Sequence, residues 1–438
     1  AMDFMREPLP HSTERVTIEH LGIKCAVHLD RTAKLAHCPV AITLEALDEL
    51  LAPDLLFPAS PTEMIAMLGG AVACNASGAR SYTWGKVHDW VEGLRVVLPD
   101  GDRLALQRGE VMADGRDFAV TTEGGRELRF SAPSYDMPAV KNAAGLHAAD
   151  GMDLVDLFVG CEGILGVITE VQVRLTDRPP FASDIAFFET DDGALVHVEA
   201  LRRARENGLP VISLEYFDRN SLRFMQDRPH VPDGCGSAIF IELDVSNPES
   251  LDGLAEVFDE SEPLDDWFAD TERDMSEHRA LRHSLPEGVN TYLRQRGSHK
   301  LCTDFATPPE AFDEMLAAYR SAGDRFEEAA AREGLFWVLF AHIGDYHLHM
   351  DFLIDTDEEF EIVLREYAGL AALAVKLGGT VTAEHGVGKK LMPVGGERVP
   401  YLQLMYGREG LEEIATTKRA FDPAGILNLG NMVPREYL

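Results

Sequence analysis

Twelve residues constrain this chain more than any others: Phe340-Ala341-His342-Ile343-Gly344-Asp345-Tyr346-His347-Leu348-His349-Met350-Asp351 set three histidines and two aspartates between two apolar runs. The flanks, 335–340 and 350–354, are rich in residues that fill strands. The stretch therefore predicts a hairpin. A two-residue turn at Asp345-Tyr346 pairs Gly344 with His347, Ile343 with Leu348 and His342 with His349. Directly opposed residues have Cβ atoms about 4.5–5.5 Å apart, which suits two imidazoles reaching one metal at roughly 2.0–2.1 Å each. His347 shares a face with His349 and is a further candidate ligand. The other reading is an ordinary hairpin with surface histidines, and this stretch alone leaves both open.

At 438 residues the chain is long enough for two or three domains with ample core. Its composition, 45% hydrophobic and 26% charged, is that of a globular protein, and no apolar run approaches the ~20 residues of a membrane span. No signal-peptide pattern opens it. With 74 acidic against 40 basic residues, the net charge of −34 opposes nucleic acid and anionic lipid as partners. An anionic small substrate then needs local cations. Arg279, Arg282, Arg294, Arg296 and Lys300 form such a group, although they equally offset the acidic stretch 259–274. Six scattered cysteines without a CxxC pair exclude an iron–sulfur pattern and fit a reducing, cytoplasmic setting.

Residues 15–30 read as two strands around Gly22, and 42–51 as a helix closed by Pro53. The small-residue run 68–78 fits either close backbone approach to a ligand or tight helix packing. A strand at 91–98 ends in an Asp-Gly turn, 108–149 reads as an elaborated loop, and 157–175 as strand, glycine turn and strand. Pro179-Pro180 marks a domain boundary. Beyond it, strands at 185–188, 212–217 and 238–244 alternate with helices at 192–207 and 249–261, predicting an α+β domain with an antiparallel sheet. Helices at 309–333 and 356–377 flank the histidine hairpin. The predicted remainder is a strand at 378–385, a helix at 411–420, and a turn with a final strand.

Four segments in this order resemble the FAD-linked oxidases of the vanillyl-alcohol-oxidase superfamily, in particular the D-lactate, D-2-hydroxyglutarate and glycolate dehydrogenases. They are LGGAVACNASGARSYTWG with VEGLRVVLPDG, DLFVGCEGILGVITEVQVRL, AHIGDYHLHMDF, and GGTVTAEHGVGKK followed by KRAFDPAGILNLGN. The resemblance implies a truncated FAD-binding domain at 1–178, a ferredoxin-like α+β substrate domain at 179–380, and a C-terminal segment, 381–438, returning to the flavin side. It carries flavin contacts onto Gly69, Gly70, Asn75, Gly78, Glu162, Gly163, Gly166, Val167, Ile168 and Asn428. It implies a divalent ion, zinc or manganese, on His342, His349 and Glu384, with His385 as base and Arg282 on the substrate carboxylate. Glu384 and His385 are adjacent, so they share a site only if the chain bends at Gly386.

The expected activity is oxidation of a D-2-hydroxy acid, with electrons passing to a partner protein or quinone, in the cytoplasm or on a membrane through a partner. Two departures stand out. Tyr346 occupies a turn position that needs positive φ, where a bulky residue is disfavoured. Ahead of residue 15 the chain also lacks the glycine-rich lobe that cradles the FAD pyrophosphate in this family. That lobe is then a separate subunit, or was truncated away, or was lost. The last option leads to the alternative function, a non-catalytic or FAD-free subunit retaining the fold and the metal site.

Overall fold

The computed structural model describes the chain except residues 1–12, 21–22, 60, 226–230 and 331. The chain forms two compact units. The first takes the described residues up to Gly78, then Trp84–Arg178 and Val381–Leu438; the second takes Ala79–Thr83 and Pro179–Thr380.

In the first unit a six-stranded antiparallel sheet runs in the order Glu14–His20, Ile23–Asp30, Leu35–Pro39, Val167–Arg174, Val91–Val97, Arg103–Gln107. The helix Leu44–Leu51 starts two residues later than expected because Thr43 caps it, its hydroxyl accepting from the Ala46 N–H. The helix Gln403–Phe421 is anchored by Lys418, whose buried ammonium donates to the Ile164 and Leu427 carbonyls and to Asp422 at 2.7–3.0 Å. One cation thus ties the C-terminal segment to the glycine turn at 160–166.

Several local expectations give way to capping and turn chemistry. Leu157-Phe158 end a short helix, Leu154–Phe158, rather than forming a strand. Asp153 accepts from the Val155 N–H and Asp156 accepts from the Asp153 N–H, a capping box that selects helix over an apolar strand. The supposed loop 108–149 contains the hairpin Asp117–Thr121 with Glu127–Ser131. Residues 378–385 make a single bridge, Thr380 to Ala306, because Gly386 and Gly388 take positive φ and turn the chain. No final strand forms: Asp422 accepts from the Ile426 and Leu427 N–H groups and closes a turn instead.

The second unit is built on an eight-stranded antiparallel sheet in the order Asp265–Ala269, Phe181–Phe188, Ser237–Asp244, Val211–Phe217, Trp337–His342, His347–Ile354, His299–Cys302, with Phe305–Ala306 also on His347–Ile354. The edge strand Asp265–Ala269 lies inside the stretch expected to be only a solvated acidic face. Parity sorts the sheet's residues. On one face Ile185, Phe187, Phe217, Phe240, Val338 and Leu353 pack with Leu281, Leu285 and Val289 of the long helix Glu272–Arg296. Tyr216 and Phe352 point the other way, to Asp191 and Phe326 on helices of the opposite layer.

The histidine hairpin forms, but in a different register. His342 faces His347 and Phe340 faces His349, with Ile343–Asp345 a short 3-10 turn. The two-residue turn is therefore corrected to a four-residue connection, and the slip by two keeps all three histidines on one face. Tyr346 does take positive φ, 55°. The Arg202 guanidinium stacks 4.0 Å over its ring and Phe312 meets it edge-on, contacts that offset the backbone strain.

Asp184 is 1% exposed on Phe181–Phe188 and has no side-chain partner among the described residues. Burial, reinforced by the nearby Asp266, pushes its carboxyl up to about 8. The fold therefore holds this group protonated. Its contribution to stability is full below pH ~4, where the unfolded carboxyl is also protonated, and is lost as pH rises through about 8. Asp184→Asn should stabilise the protein by on the order of 5 kcal/mol at pH 8 and by almost nothing at pH 4. Denaturant melts at the two pH values test this, and an equal effect at both would refute it.

Candidate active site

On the helix-covered face of the second unit, the apolar core gives way to a row of charged and imidazole groups. Glu242 and Ser213 are opposed across their strands. Arg80 donates to Glu242 through Nε at 3.0 Å and Nη2 at 2.9 Å, and the Ser213 hydroxyl adds a third bond. Burial raises the Glu242 carboxyl, but the Arg80 charge and hydrogen bonds outweigh it and bring it down to about 2.

Two residues along from Ser213, and so on the same face, lies Glu215. Its Oε1 accepts from Arg282 Nη2 and from His342 Nδ1, both at 2.7 Å, while Oε2 accepts from Arg282 Nε. Here too burial raises the carboxyl, and the Arg282 charge with the His342 hydrogen bond reverses the shift, leaving it below the ordinary glutamate value. The sequence marks both acids: each is the lone charged residue among apolar neighbours, in VISLEYF and SAIFIE. That signal was not used to predict the site.

His342, His347 and His349 bring ligand atoms within 4.8 Å of one another. His349 Nδ1 lies 3.0 Å from the Thr303 carbonyl, which can only accept. Nδ1 therefore carries the proton and Nε2 the lone pair. The Glu215 carboxylate imposes the same tautomer on His342. Imidazoles whose Nδ1–H is held by a carbonyl or carboxylate are the usual donors to a divalent ion. His347, fully buried, bonds through Nε2 to Asp304 at 2.9 Å. The donor set fits a metal.

The expected cationic group is dispersed. Arg279 pairs with Glu272 and Arg296 with Asp355, whereas Arg282 and Lys300 face the histidine row. Lys300 Nζ lies 2.7 Å from Asp351. Arg282, expected to take a substrate carboxylate, directs Nε and Nη2 at Glu215.

In the first unit the flavin-contact residues separate into two kinds. A Cβ on Gly69 would lie 2.5 Å from Val40 Cβ, and one on Gly166 would lie 2.3 Å from Val96 Cγ1, so these glycines serve close packing. Gly70 and Gly163 have no atom within 4 Å of that position, and Val167 is 54% exposed. Asn75, at φ 50°, accepts from the His88 N–H. Ile168 pairs with Val96 in the sheet, and the Gly78 carbonyl accepts from Lys141. Open backbone at Gly70 and Gly163, with the ammoniums of Lys86 and Lys141 in the same unit, fits a flat ring edged with hydrogen-bond acceptors, such as a flavin.

Glu162 and Asn428, expected against the cofactor, also connect parts of the chain. The Glu162 carboxylate accepts from Val387 N–H at 2.6 Å, Gly388 N–H at 2.9 Å and Asn431 Nδ2 at 2.7 Å. Asn428 Nδ2 donates to the Glu162 carbonyl at 2.7 Å. They fix the loop bearing Glu384 and His385, where the Gly386 bend brings His385 Nε2 to 3.5 Å from Glu384 Oε1. Glu384 pairs with Lys141 at 2.9 Å. Lys141 was a partner missed in the sequence, where it stands in a small-residue run.

Both units match flavin-linked oxidoreductases of the vanillyl-alcohol-oxidase superfamily. The chain belongs to the FAD linked oxidases: residues 185–432 match their C-terminal domain, and residues 9–107 match an FAD binding domain. It is 27% identical over 407 residues to the glycolate oxidase subunit GlcD of Bacillus subtilis (strain 168), covering 91% of this chain and 75% of that one. It is 27% identical over 438 residues to the D-lactate dehydrogenase of Archaeoglobus fulgidus, covering 96% and 80%. To the D-2-hydroxyglutarate dehydrogenase of Stutzerimonas stutzeri it is 24% identical over 377 residues, covering 83% and 69%. A solved alkyldihydroxyacetonephosphate synthase shares the fold at TM-score 0.60 and 16% identity; the match covers 93% of this chain and 64% of that one.

Glu162→Ala would leave the Val387 and Gly388 N–H groups and the Asn431 amide without their acceptor. The expected cost is about 2–4 kcal/mol of stability, with faster amide exchange across 384–390. Gly70→Ala, into open space, should melt like the wild type yet retain less flavin. Equal stability of the Glu162 variant would refute its assignment.

Proposed function

We propose that this protein oxidises a D-2-hydroxy acid to the 2-oxo acid with FAD and a divalent ion, zinc or manganese, and passes the electrons to a partner protein or quinone. The observation that carries this reading is the pair of imidazoles, His342 and His349, each with the proton on Nδ1 and the lone pair on Nε2, beside an arginine held by the same carboxylate as one of them. His347 and Glu384 are the remaining candidate ligands. The relatives named for glycolate, D-lactate and D-2-hydroxyglutarate support the substrate class. Among the described residues no helix is long and apolar enough to cross a membrane, so contact with a quinone would be made at the membrane surface or through a partner.

The reaction breaks the O–H and α C–H bonds of the acid and forms a carbonyl. When bound, the flavin supplies the hydride acceptor and the divalent ion a Lewis acid that acidifies the hydroxyl. His385 takes the hydroxyl proton on its imidazole, which is 46% exposed by side chain and so reachable by substrate. Arg282 orients the substrate carboxylate.

The purified chain should show a flavin spectrum that bleaches anaerobically with D-lactate, glycolate or D-2-hydroxyglutarate. His385→Ala should keep the flavin and lose about 10²–10⁴ in bleaching rate. His349→Ala should release most of the bound zinc or manganese. Wild-type bleaching by the first variant, or undiminished metal in the second, would overturn the corresponding role.

A further inference from the structure

We infer that Glu215 is a positioning residue that couples the metal-binding imidazole of His342 to the carboxylate-binding guanidinium of Arg282, so that metal and substrate affinity depend on one side chain. The inference rests on the metal and substrate roles proposed above and adds the residue that organises them.

The geometry is specific. Oε1 of Glu215 receives both His342 Nδ1 and Arg282 Nη2, and Oε2 receives Arg282 Nε, so both partners share one carboxylate. Its position leaves it little freedom. Glu215 lies on Val211–Phe217, every residue of which is buried, and is itself 3% exposed. His342 ends the neighbouring strand Trp337–His342, and Arg282 projects from the helix Glu272–Arg296 that covers this face. A strand, its neighbour and a helix are thereby tied at one point.

Each bond has a separate chemical consequence. A carboxylate facing Nδ1 fixes the tautomer that offers Nε2 to a cation and raises the basicity of the ring. A carboxylate facing the guanidinium fork fixes its plane and its direction. Packing alone does not require an acid here, since the adjoining core is closed by Phe217, Phe240 and Leu281. Glu242, the next acid along the same face, holds Arg80 through the same fork geometry but bonds no histidine, which makes it the natural control.

The test measures Mn²⁺ binding by titration calorimetry, KM for D-lactate, and the His342 tautomer by nitrogen-15 histidine spectra of the metal-free protein. Glu215→Ala should weaken Mn²⁺ binding about 10–100-fold, raise KM by a similar factor, and convert His342 from a single Nδ1-protonated form to a mixture. Glu215→Gln, which keeps the shape and one acceptor oxygen, should preserve the fold yet lose at least one of the two affinities. Glu242→Gln should bind Mn²⁺ as the wild type does. If His349→Ala loses Mn²⁺ while both Glu215 variants keep wild-type binding and tautomer, the coupling is wrong and the metal reading stands. If the wild type binds no Mn²⁺, the metal reading falls and takes this inference with it.

Discussion

An antiparallel sheet sorts its side chains by parity, and the chemistry of the second unit depends on that constraint. Residues 213, 215, 240, 242, 338, 340 and 342 share a face because register aligns even and odd positions across three strands. The same face therefore carries an apolar core under the long helix and a polar row of Glu242, Glu215 and the histidines. The acids are tolerated in a buried layer because each is ionised against an arginine fork. Without Arg80 or Arg282, burial alone would drive both toward the neutral form.

The first unit solves a different problem, which is how to present bare backbone. Gly69 and Gly166 let the small helix and the sheet close on each other, while Gly70 and Gly163 face open space. Glu162 holds this arrangement through N–H groups of a loop more than two hundred residues away in sequence. A carboxylate that accepts two backbone amides and an asparagine is well satisfied, so it fastens the loop without a covalent link.

Much of this was legible in the chain. The strands at 181–188, 211–217, 237–244 and the histidine hairpin, with the helices at 191–206, 249–261, 312–330 and 357–376, follow from apolar periodicity and clear caps, whereas the long helix Glu272–Arg296 and the strand Asp265–Ala269, in charge-rich stretches, do not. The order of the glycine, histidine and Glu-His segments identified the family that the comparisons then showed. Three of the local differences share a cause. At 157–159, 378–385 and 426–430, side-chain carboxylates or positive-φ glycines satisfy the backbone in place of a strand partner, and apolar periodicity does not register that competition. The hairpin register slipped by two because hydrophobic alternation is blind to an even shift, and the turn geometry at Tyr346 was decided by its packing on Arg202 and Phe312.

By itself, the sequence determined the residue types of the site, their order and the family, since those depend on which side chains are present and how they are spaced. Only the tertiary structure decided their roles. Glu215 reads as one acid in an apolar strand until a helix brings Arg282 and a neighbouring strand brings His342 to its two oxygens. The structure adds to Glu162 a role that its place in the sequence does not show, its carboxylate accepting from Val387, Gly388 and Asn431. The reason is physical: a buried carboxylate acts according to which donors meet it, and here those donors come from segments tens to hundreds of residues apart.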